Sequence, residues 1–178
     1  MTDVSILVRE GMLATLLVAA MCIDIRTMRI PNLLTFGGAG LALLLALWPD
    51  SHPGILDALA GLALGLIALL PLRVAGVLGA GDVKLMAMVG AFVGMPEIFS
   101  ALVFSMIAGG IAAVGFALYR RKSLQMLRNV QETLTVGMVT IAAGHAPSLA
   151  SMPSIGKLPY AIGICAGSIA WIVYRHLN

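Results

Sequence analysis

The sequence predicts an all-α integral membrane protein with about six transmembrane helices, on the evidence of its composition, its apolar runs and the placement of its charges. Of the 178 residues, 60% are hydrophobic and 11% are charged, whereas a soluble domain carries about 25% charged residues. Such a chain lacks the polar surface that a water-soluble fold needs, so it belongs in a lipid bilayer. Its length fits a single membrane-embedded domain over residues 1–178.

Six apolar runs predict the helices. A spanning helix needs about 20 residues, so the fifth run spans the bilayer comfortably, the third and sixth fit, and the second is slightly short. The fourth run is too short by itself, so it is expected to be packed by neighbouring helices, to use its flanking residues or to lie where the bilayer is locally thin. The runs cover residues 11–24, 33–48, 55–72, 83–95, 98–119 and 158–174.

The segment of about 120–157 differs from these runs. Its apolar residues recur at helical spacing with polar residues on the other faces, which predicts an amphipathic helix on the cytoplasmic surface. A seventh span over 133–150 is the alternative, and it would move Lys157 to the outside. The apolar residues are Leu124, Leu127, Val130, Leu134, Met138 and Ile141.

Charge placement predicts the orientation of the helices. If the N-terminus lies outside and six helices follow, nine arginines and lysines fall inside and two, Arg9 and Arg175, fall outside. This excess follows the positive-inside rule and places Asp24 and Asp82 at the same, cytoplasmic side. The nine inside residues are Arg26, Arg29, Arg73, Lys84, Arg120, Arg121, Lys122, Arg128 and Lys157.

Three pairs of glycines at a spacing of four residues predict close helix packing, because small residues let helix backbones approach each other in a membrane. The pairs are Gly61/Gly65, Gly90/Gly94 and Gly163/Gly167.

Two aspartates, Asp24 and Asp82, lie at the edges of apolar runs. An ionisable group at membrane depth is costly unless it is paired or hydrated, so each is a candidate functional residue. Two adjacent carboxyl groups cannot both ionise cheaply and therefore share a proton. The charged member can then activate a water molecule while the neutral member donates to a peptide carbonyl, as in aspartic proteases. We predict that Asp24 and Asp82 face each other as a catalytic dyad.

Each aspartate also has a purely structural interpretation. Asp82 after Gly81 can be a helix N-cap, with Lys84 as an interfacial anchor, and Asp24 can be an interfacial residue at a helix end. Their occurrence together on one side of the membrane favours the dyad. Asn32, which follows Pro31, is expected to cap the second helix.

Gly79 and Gly81 precede Asp82 in the sequence. Glycine tolerates non-helical backbone and close approach, so we expect these two residues to let an extended substrate peptide lie beside the carboxylate. Lys84, two residues beyond Asp82, is a candidate for tuning the dyad or the substrate carbonyl.

No other chemistry is indicated by the remaining residues. His52, His145 and His176 lack the spacing of metal ligands, and Cys22 and Cys165 form no CxxC pair. The sequence also has no phosphate-binding glycine motif and no basic stripe for nucleic acid. We therefore predict no metal, no cofactor and no nucleic-acid partner.

Two stretches resemble the signature motifs of the type IV prepilin peptidases, which are GxGD-type intramembrane aspartyl proteases: 24–32 (DIRTMRIPN) and 79–85 (GAGDVKL). A third stretch, 157–161 (KLPYA), is similar to the proline-tyrosine segment that opens the family's last helix. The resemblance spans nearly the whole chain in order. It implies that Asp24 and Asp82 are the catalytic pair.

The resemblance also implies a substrate and a location. Water would hydrolyse the bond between a short basic cytoplasmic leader and the hydrophobic stem helix of a prepilin or pseudopilin, typically after a glycine. The larger family members carry an N-terminal region with paired CxxC motifs and also N-methylate the new terminus. This chain has no CxxC and resembles the short members that serve Flp/Tad-type pili and secretion systems. The implied location is the bacterial inner membrane, with the active site at the cytoplasmic side, although the motif also occurs in archaeal preflagellin peptidases.

Two other classes of protein stay open on the residues alone. A small transporter could use Asp24 and Asp82 to relay protons or bind a cation, although no internal repeat of the kind common in transporters is visible. A noncatalytic subunit of a pilus-assembly machine would keep its role after the loss of either aspartate.

Overall fold

The computed structural model describes residues 2–48, 52–75, 78–119 and 160–177. Within these residues all the regular elements are helices, which confirms the predicted fold class. The predicted amphipathic segment at about 120–157 and the alternative seventh span lie outside the described residues. The helices are α1 (Thr2–Thr27), α2 (Asn32–Ala46), α3 (Ile55–Val74), α4 (Ala80–Val93), α5 (Glu97–Tyr119) and α6 (Ala161–Leu177).

The helices follow the apolar runs, with the largest difference at the start of the chain. Helix α1 begins at Thr2, well before the apolar run at 11–24, because a helix propagates through backbone hydrogen bonds and does not need apolar side chains to continue. Helices α2 and α6 are shorter apolar helices. Three helical segments are long and apolar enough to cross a membrane: Ile6–Thr27, Ile55–Val74 and Glu97–Phe116.

Helix α4 is the centre of the bundle. It contacts each of the other five helices, and every residue from Leu85 to Val93 is buried. Its 14 residues rise only about 21 Å at 1.5 Å per residue. Of the three alternatives for this short apolar run, packing by neighbouring helices is therefore the one that is present.

Glycines bring the neighbouring helices close to α4 and to each other. A Cβ atom at Gly61 of α3 would overlap the carbonyl oxygen of Gly90 in α4. On the other side of the bundle, a Cβ atom at Gly167 of α6 would overlap the backbone of Ser105 in α5. Gly94 lies just beyond the end of α4 with a φ of 73°, where it caps the helix and packs against Pro53. A Cβ atom at Gly61 would also lie 2.9 Å from the Cα of Gly94, so the predicted close approach is present at this glycine too.

The outer faces of the bundle are apolar, as expected for helices that contact lipid. Large apolar side chains are exposed on several helices, and a water-soluble protein rarely exposes so many together. Together with the three long apolar helices, this surface makes the chain a multi-pass membrane protein. Examples are Leu33, Leu44, Ile67, Ile111 and Leu118.

Candidate active site

Asp24 lies in the last turns of α1 and is only 6% exposed. Its carboxylate accepts a hydrogen bond from the backbone N–H of Ala161, the first residue of α6. The first N–H groups of a helix have no partner within the helix, and they carry partial positive charge. The N-terminus of α6 therefore satisfies and stabilises this buried carboxylate.

Helix α6 is held beside α1 by a second buried contact. The Sγ of Cys165 donates a hydrogen bond to the carbonyl oxygen of Leu17 over 2.9 Å. Cys165 lies one turn beyond Ala161, and Leu17 lies two turns before Asp24. This contact fixes the distance between the two helices and so places the Ala161 N–H against the Asp24 carboxylate.

Asp82 is the third residue of α4 and is 8% exposed. Its Oδ2 accepts a hydrogen bond from the backbone N–H of Gly79 over 3.0 Å. This is one half of a capping box, in which an acidic side chain at the third helical position reaches back to the residue before the helix. The expectation of an N-cap is thus met in part, because Asp82 caps α4 from inside the helix and Gly79 occupies the N-cap position.

Asp24 and Asp82 lie in the same region of the helix bundle, and a face-to-face arrangement of their carboxyl groups stays a prediction. The charge of the Asp24 carboxylate acts on Asp82, although the two residues are 58 positions apart in the sequence. The charge of Asp82 also reaches Tyr160, the residue that precedes α6. Three chain segments therefore converge on one buried site: the end of α1, the start of α4 and the start of α6.

Gly79 and Gly81 make room around Asp82, but not through unusual backbone angles. Gly79 is extended, with φ −73° and ψ 152°, a conformation that any residue adopts, and Gly81 lies within the first turn of α4. A Cβ atom at Gly79 would lie 2.9 Å from Asp82 Oδ2, and one at Gly81 would lie 3.2 Å from the Cβ of Ile30. The expected non-helical backbone is therefore absent at Gly81. The atoms that crowd the two glycines belong to Asp82 and Ile30, and the close approach of a substrate peptide stays a prediction.

Lys84 points to α2. Its Nζ donates a hydrogen bond to Asn32 Oδ1 over 2.9 Å and lies 5.0 Å from the centroid of the Phe36 ring. Residues two apart on a helix do not share a face, so Lys84 and Asp82 project from different sides of α4. The expectation that Asn32 caps α2 is wrong, because Asn32 is the first helical residue and Pro31 holds the N-cap position without a side-chain hydrogen bond.

The contact between the backbone at residues 160 and 161 and the candidate site was not predicted from the sequence. The resemblance singled out the proline-tyrosine segment, and Tyr160 does directly precede α6. Nothing in the sequence indicates that the N–H of Ala161 would bind Asp24. Among the residues that the structure describes, no three His, Cys, Asp or Glu side chains form a group that could hold a metal ion.

Comparison with known proteins identifies the family to which this chain belongs. The model of the type IV leader peptidase family matches residues 11–114, more than half of the sequence. The chain belongs to the type IV leader peptidase family. The matched region includes Asp24, Asp82 and Lys84 and ends before α6. A search of curated proteins and a search of solved structures each found no match. Family membership supports a peptidase of the leader-peptidase type that acts on prepilin-type substrates.

Proposed function

We propose that the protein is an intramembrane aspartic endopeptidase in which Asp24 and Asp82 form the catalytic dyad. Its substrate would be a type IV prepilin or pseudopilin of the Flp class, from which it removes the short leader for pilus assembly or secretion. The observation that carries the proposal is the convergence of two buried aspartates from the two motif stretches. Neither carboxylate is paired with a cation among the described side chains.

A single proton shared by the two carboxyl groups is sufficient for hydrolysis. The charged carboxylate takes a proton from water, and the water oxygen attacks the scissile carbonyl carbon while the neutral carboxyl group gives its proton to the carbonyl oxygen. The resulting gem-diol then collapses. One carboxyl group protonates the amide nitrogen, the C–N bond breaks, and the other carboxylate takes back a proton from a hydroxyl of the gem-diol. The dyad returns to its one-proton state, and the products are a leader with a new carboxyl end and a pilin with a new amino end.

The neighbouring helix ends suit this chemistry. Asp82 lies in the first turn of α4, and Asp24 of α1 lies against the N-terminus of α6. The dipole of a helix favours negative charge at its N-terminus. Burial disfavours the charged form of a carboxyl group, and a dyad with two protons has no base. The helix N-termini offset that tendency and so support a state in which one carboxylate stays charged.

The charge distribution supports a cytoplasmic active site. Both aspartates lie at the end of the bundle that carries Arg26, Arg29 and Arg73, and cytoplasmic loops of membrane proteins are rich in such residues. A leader that remains in the cytoplasm while its stem helix enters the bilayer presents its scissile bond at this depth.

The proposal is tested by co-expressing the protein with an Flp-type prepilin and measuring the mass of the pilin. The wild type is expected to remove the leader, and Asp24→Asn and Asp82→Asn are expected to leave the prepilin intact while still inserting in the membrane. Asparagine keeps the size of the side chain and removes its titrating carboxyl group. Asp50→Asn, which falls in neither motif stretch, is the matched control and is expected to cleave. Normal cleavage by either motif variant would refute the dyad and favour a structural role for that aspartate.

A further inference from the structure

Arg9 is a buried charge that lies far from the candidate active site. It is only 6% exposed, and helix α1 rises about 22 Å between Arg9 and Asp24 at 1.5 Å per residue. Among the described side chains, no carboxylate forms an ion pair with this arginine. A buried charge is costly in a membrane protein, so a specific role is expected for it.

The guanidinium of Arg9 joins α1 to two other helices. Its Nη2 donates hydrogen bonds to the carbonyl oxygen of Ala42 in α2 over 3.4 Å and to that of Ala91 in α4 over 3.3 Å. Its Nη1 donates to the carbonyl oxygen of Pro53, which precedes α3, over 3.0 Å. Ala91 lies in the last turn of α4, where carbonyl oxygens carry partial negative charge. The arginine therefore binds α4 by its charge as well as by its hydrogen bond.

A different face of α1 is held against α6. Glu10, Leu17 and Asp24 follow each other at a spacing of seven residues, which is nearly two helical turns, so they lie on one face. Each of the three makes a polar contact with α6. The partners are Arg175 and His176 for Glu10, Cys165 for Leu17 and Ala161 for Asp24. These contacts fix α1 relative to α6, but they do not fix α1 relative to α4.

Arg9 supplies the link between α1 and α4. Within the described part of the chain, it is the only side chain of α1 that forms a hydrogen bond with α4. In a membrane, apolar helix surfaces have no hydrophobic drive to associate, so hydrogen bonds and close packing decide how two helices align. Helix α1 carries Asp24 and helix α4 carries Asp82. The bond between Arg9 and Ala91 therefore joins the two helices of the candidate dyad.

We propose that Arg9 is a positioning residue for the dyad, which sets the alignment of α1 against α4 and so the separation of Asp24 and Asp82. A rigid helix carries a displacement at one end to the other, so loss of the Arg9 bonds moves Asp24 relative to Asp82. The consequence for catalysis rests on the proposed function. The alignment itself needs no substrate, so it can be measured separately.

The alignment is tested by distances between spin labels, measured by electron paramagnetic resonance on the full chain in lipid vesicles. Labels on Cys22 and on Ala80→Cys report the distance between α1 and α4, because each of these exposed residues precedes an aspartate by two positions. The background carries Cys165→Ser, whose hydroxyl group keeps a donor for Leu17. Arg9→Gln is expected to widen the distance distribution about twofold. An unchanged distribution would overturn the proposal.

A second pair of labels is the matched control. Cys22 and Ala170→Cys, an exposed position of α6, report the distance between α1 and α6. The three contacts with α6 hold this distance without Arg9, so Arg9→Gln is expected to leave its distribution unchanged. Equal widening for both pairs of labels would show a general loosening of the bundle and would overturn the assignment to α4.

Cleavage of a purified Flp-type prepilin separates positioning from stability. Arg9→Gln is expected to lower kcat on the order of tenfold with KM unchanged, because a small displacement of a catalytic group slows the chemical step. Arg9→Lys is expected to lose as much, since a compact ammonium group does not reproduce the guanidinium fork. Full activity in Arg9→Lys would assign the effect to the buried charge and would overturn the bridging role.

Ser105→Ala is the control for stability. It removes buried hydrogen bonds between α5 and α6, so it is expected to lower the thermal unfolding midpoint while keeping kcat. An equal fall of kcat in Ser105→Ala and Arg9→Gln would reduce the role of Arg9 to stability and would overturn the proposal. If the wild type leaves the prepilin intact, the proposed function fails, and the two pairs of labels still decide whether Arg9 aligns the helices.

Discussion

Lys84 donates a hydrogen bond from its Nζ to Asn32 Oδ1 over 2.9 Å, which joins two residues that are 52 positions apart. Each belongs to one of the two motif stretches, and each follows one of the two aspartates. The bond fixes the start of α2 against the start of α4. We infer that Lys84 is a positioning residue for the candidate dyad, because it holds the start of α4, which carries Asp82, against the start of α2, which follows the helix of Asp24.

The positioning role predicts a shared effect of Lys84 and Asn32. Lys84→Ala and Asn32→Ala are each expected to lower kcat/KM for prepilin cleavage, and the double variant is expected to be little worse than either single one. The coupling energy from such a double-mutant cycle is expected to be about 1 kcal/mol, since the bond lies at a partly exposed site. Fully additive losses would contradict a joint role, and a loss for Lys84→Ala alone would indicate direct contact between the lysine and the substrate.

Gly79→Ala is expected to impair cleavage while leaving the protein folded. The added Cβ would lie 2.9 Å from Asp82 Oδ2, so the carboxylate must move away from its present position. A displacement of about 1 Å in a catalytic group costs on the order of 100-fold in rate. The measurement is kcat/KM alongside the thermal unfolding midpoint. Gly110→Ala, whose Cβ would meet nothing within 4 Å, is the control, and equal activity of the two variants would show that Asp82 tolerates the displacement.

Gly61→Ala is expected to destabilise the bundle. Its Cβ would overlap the carbonyl oxygen of Gly90, and neither of these two backbones can move without separating α3 from α4. Overpacking of this kind typically costs about 1–3 kcal/mol. Gly37→Ala in α2 has open space around its Cβ and is expected to be neutral or slightly stabilising, since alanine favours a helix over glycine. Thermal unfolding in detergent compares the two, and equal midpoints would contradict the close α3–α4 packing.

Most of the helices could be predicted from the sequence, because a continuous run of apolar residues marks each membrane helix and its length. The shortness of α4 left its burial as one of three alternatives, because a short helix can also use its flanking residues or lie in a locally thin bilayer. The start of α1 could not be placed in the same way. Its first turns mix polar and apolar residues, with Arg9 and Glu10 before the continuous apolar run, and backbone hydrogen bonds continue the helix through them.

The candidate site was predictable in part. Asp24 and Asp82 stood out because buried charge is costly, and both are buried in the structure, where the charge of Asp24 reaches Asp82. The partners of polar groups were not predictable, because they depend on which helices pack side by side. Asn32 was expected to cap α2, and instead its side chain accepts a hydrogen bond from Lys84. Arg9 was counted as a charge on the outside, and it lies buried and donates hydrogen bonds to three carbonyl oxygens.

The central claim is that Asp24 and Asp82 act as one catalytic unit. The most direct test is the cleavage rate of purified prepilin by the protein reconstituted in lipid vesicles, for Asp24→Asn, Asp82→Asn and the double variant. Residues that act as a unit have strongly non-additive effects, so each single variant is expected to lose cleavage as completely as the double variant. If either single variant retains cleavage within about twofold of the wild type, a change too small for the loss of a catalytic carboxylate, the dyad is contradicted.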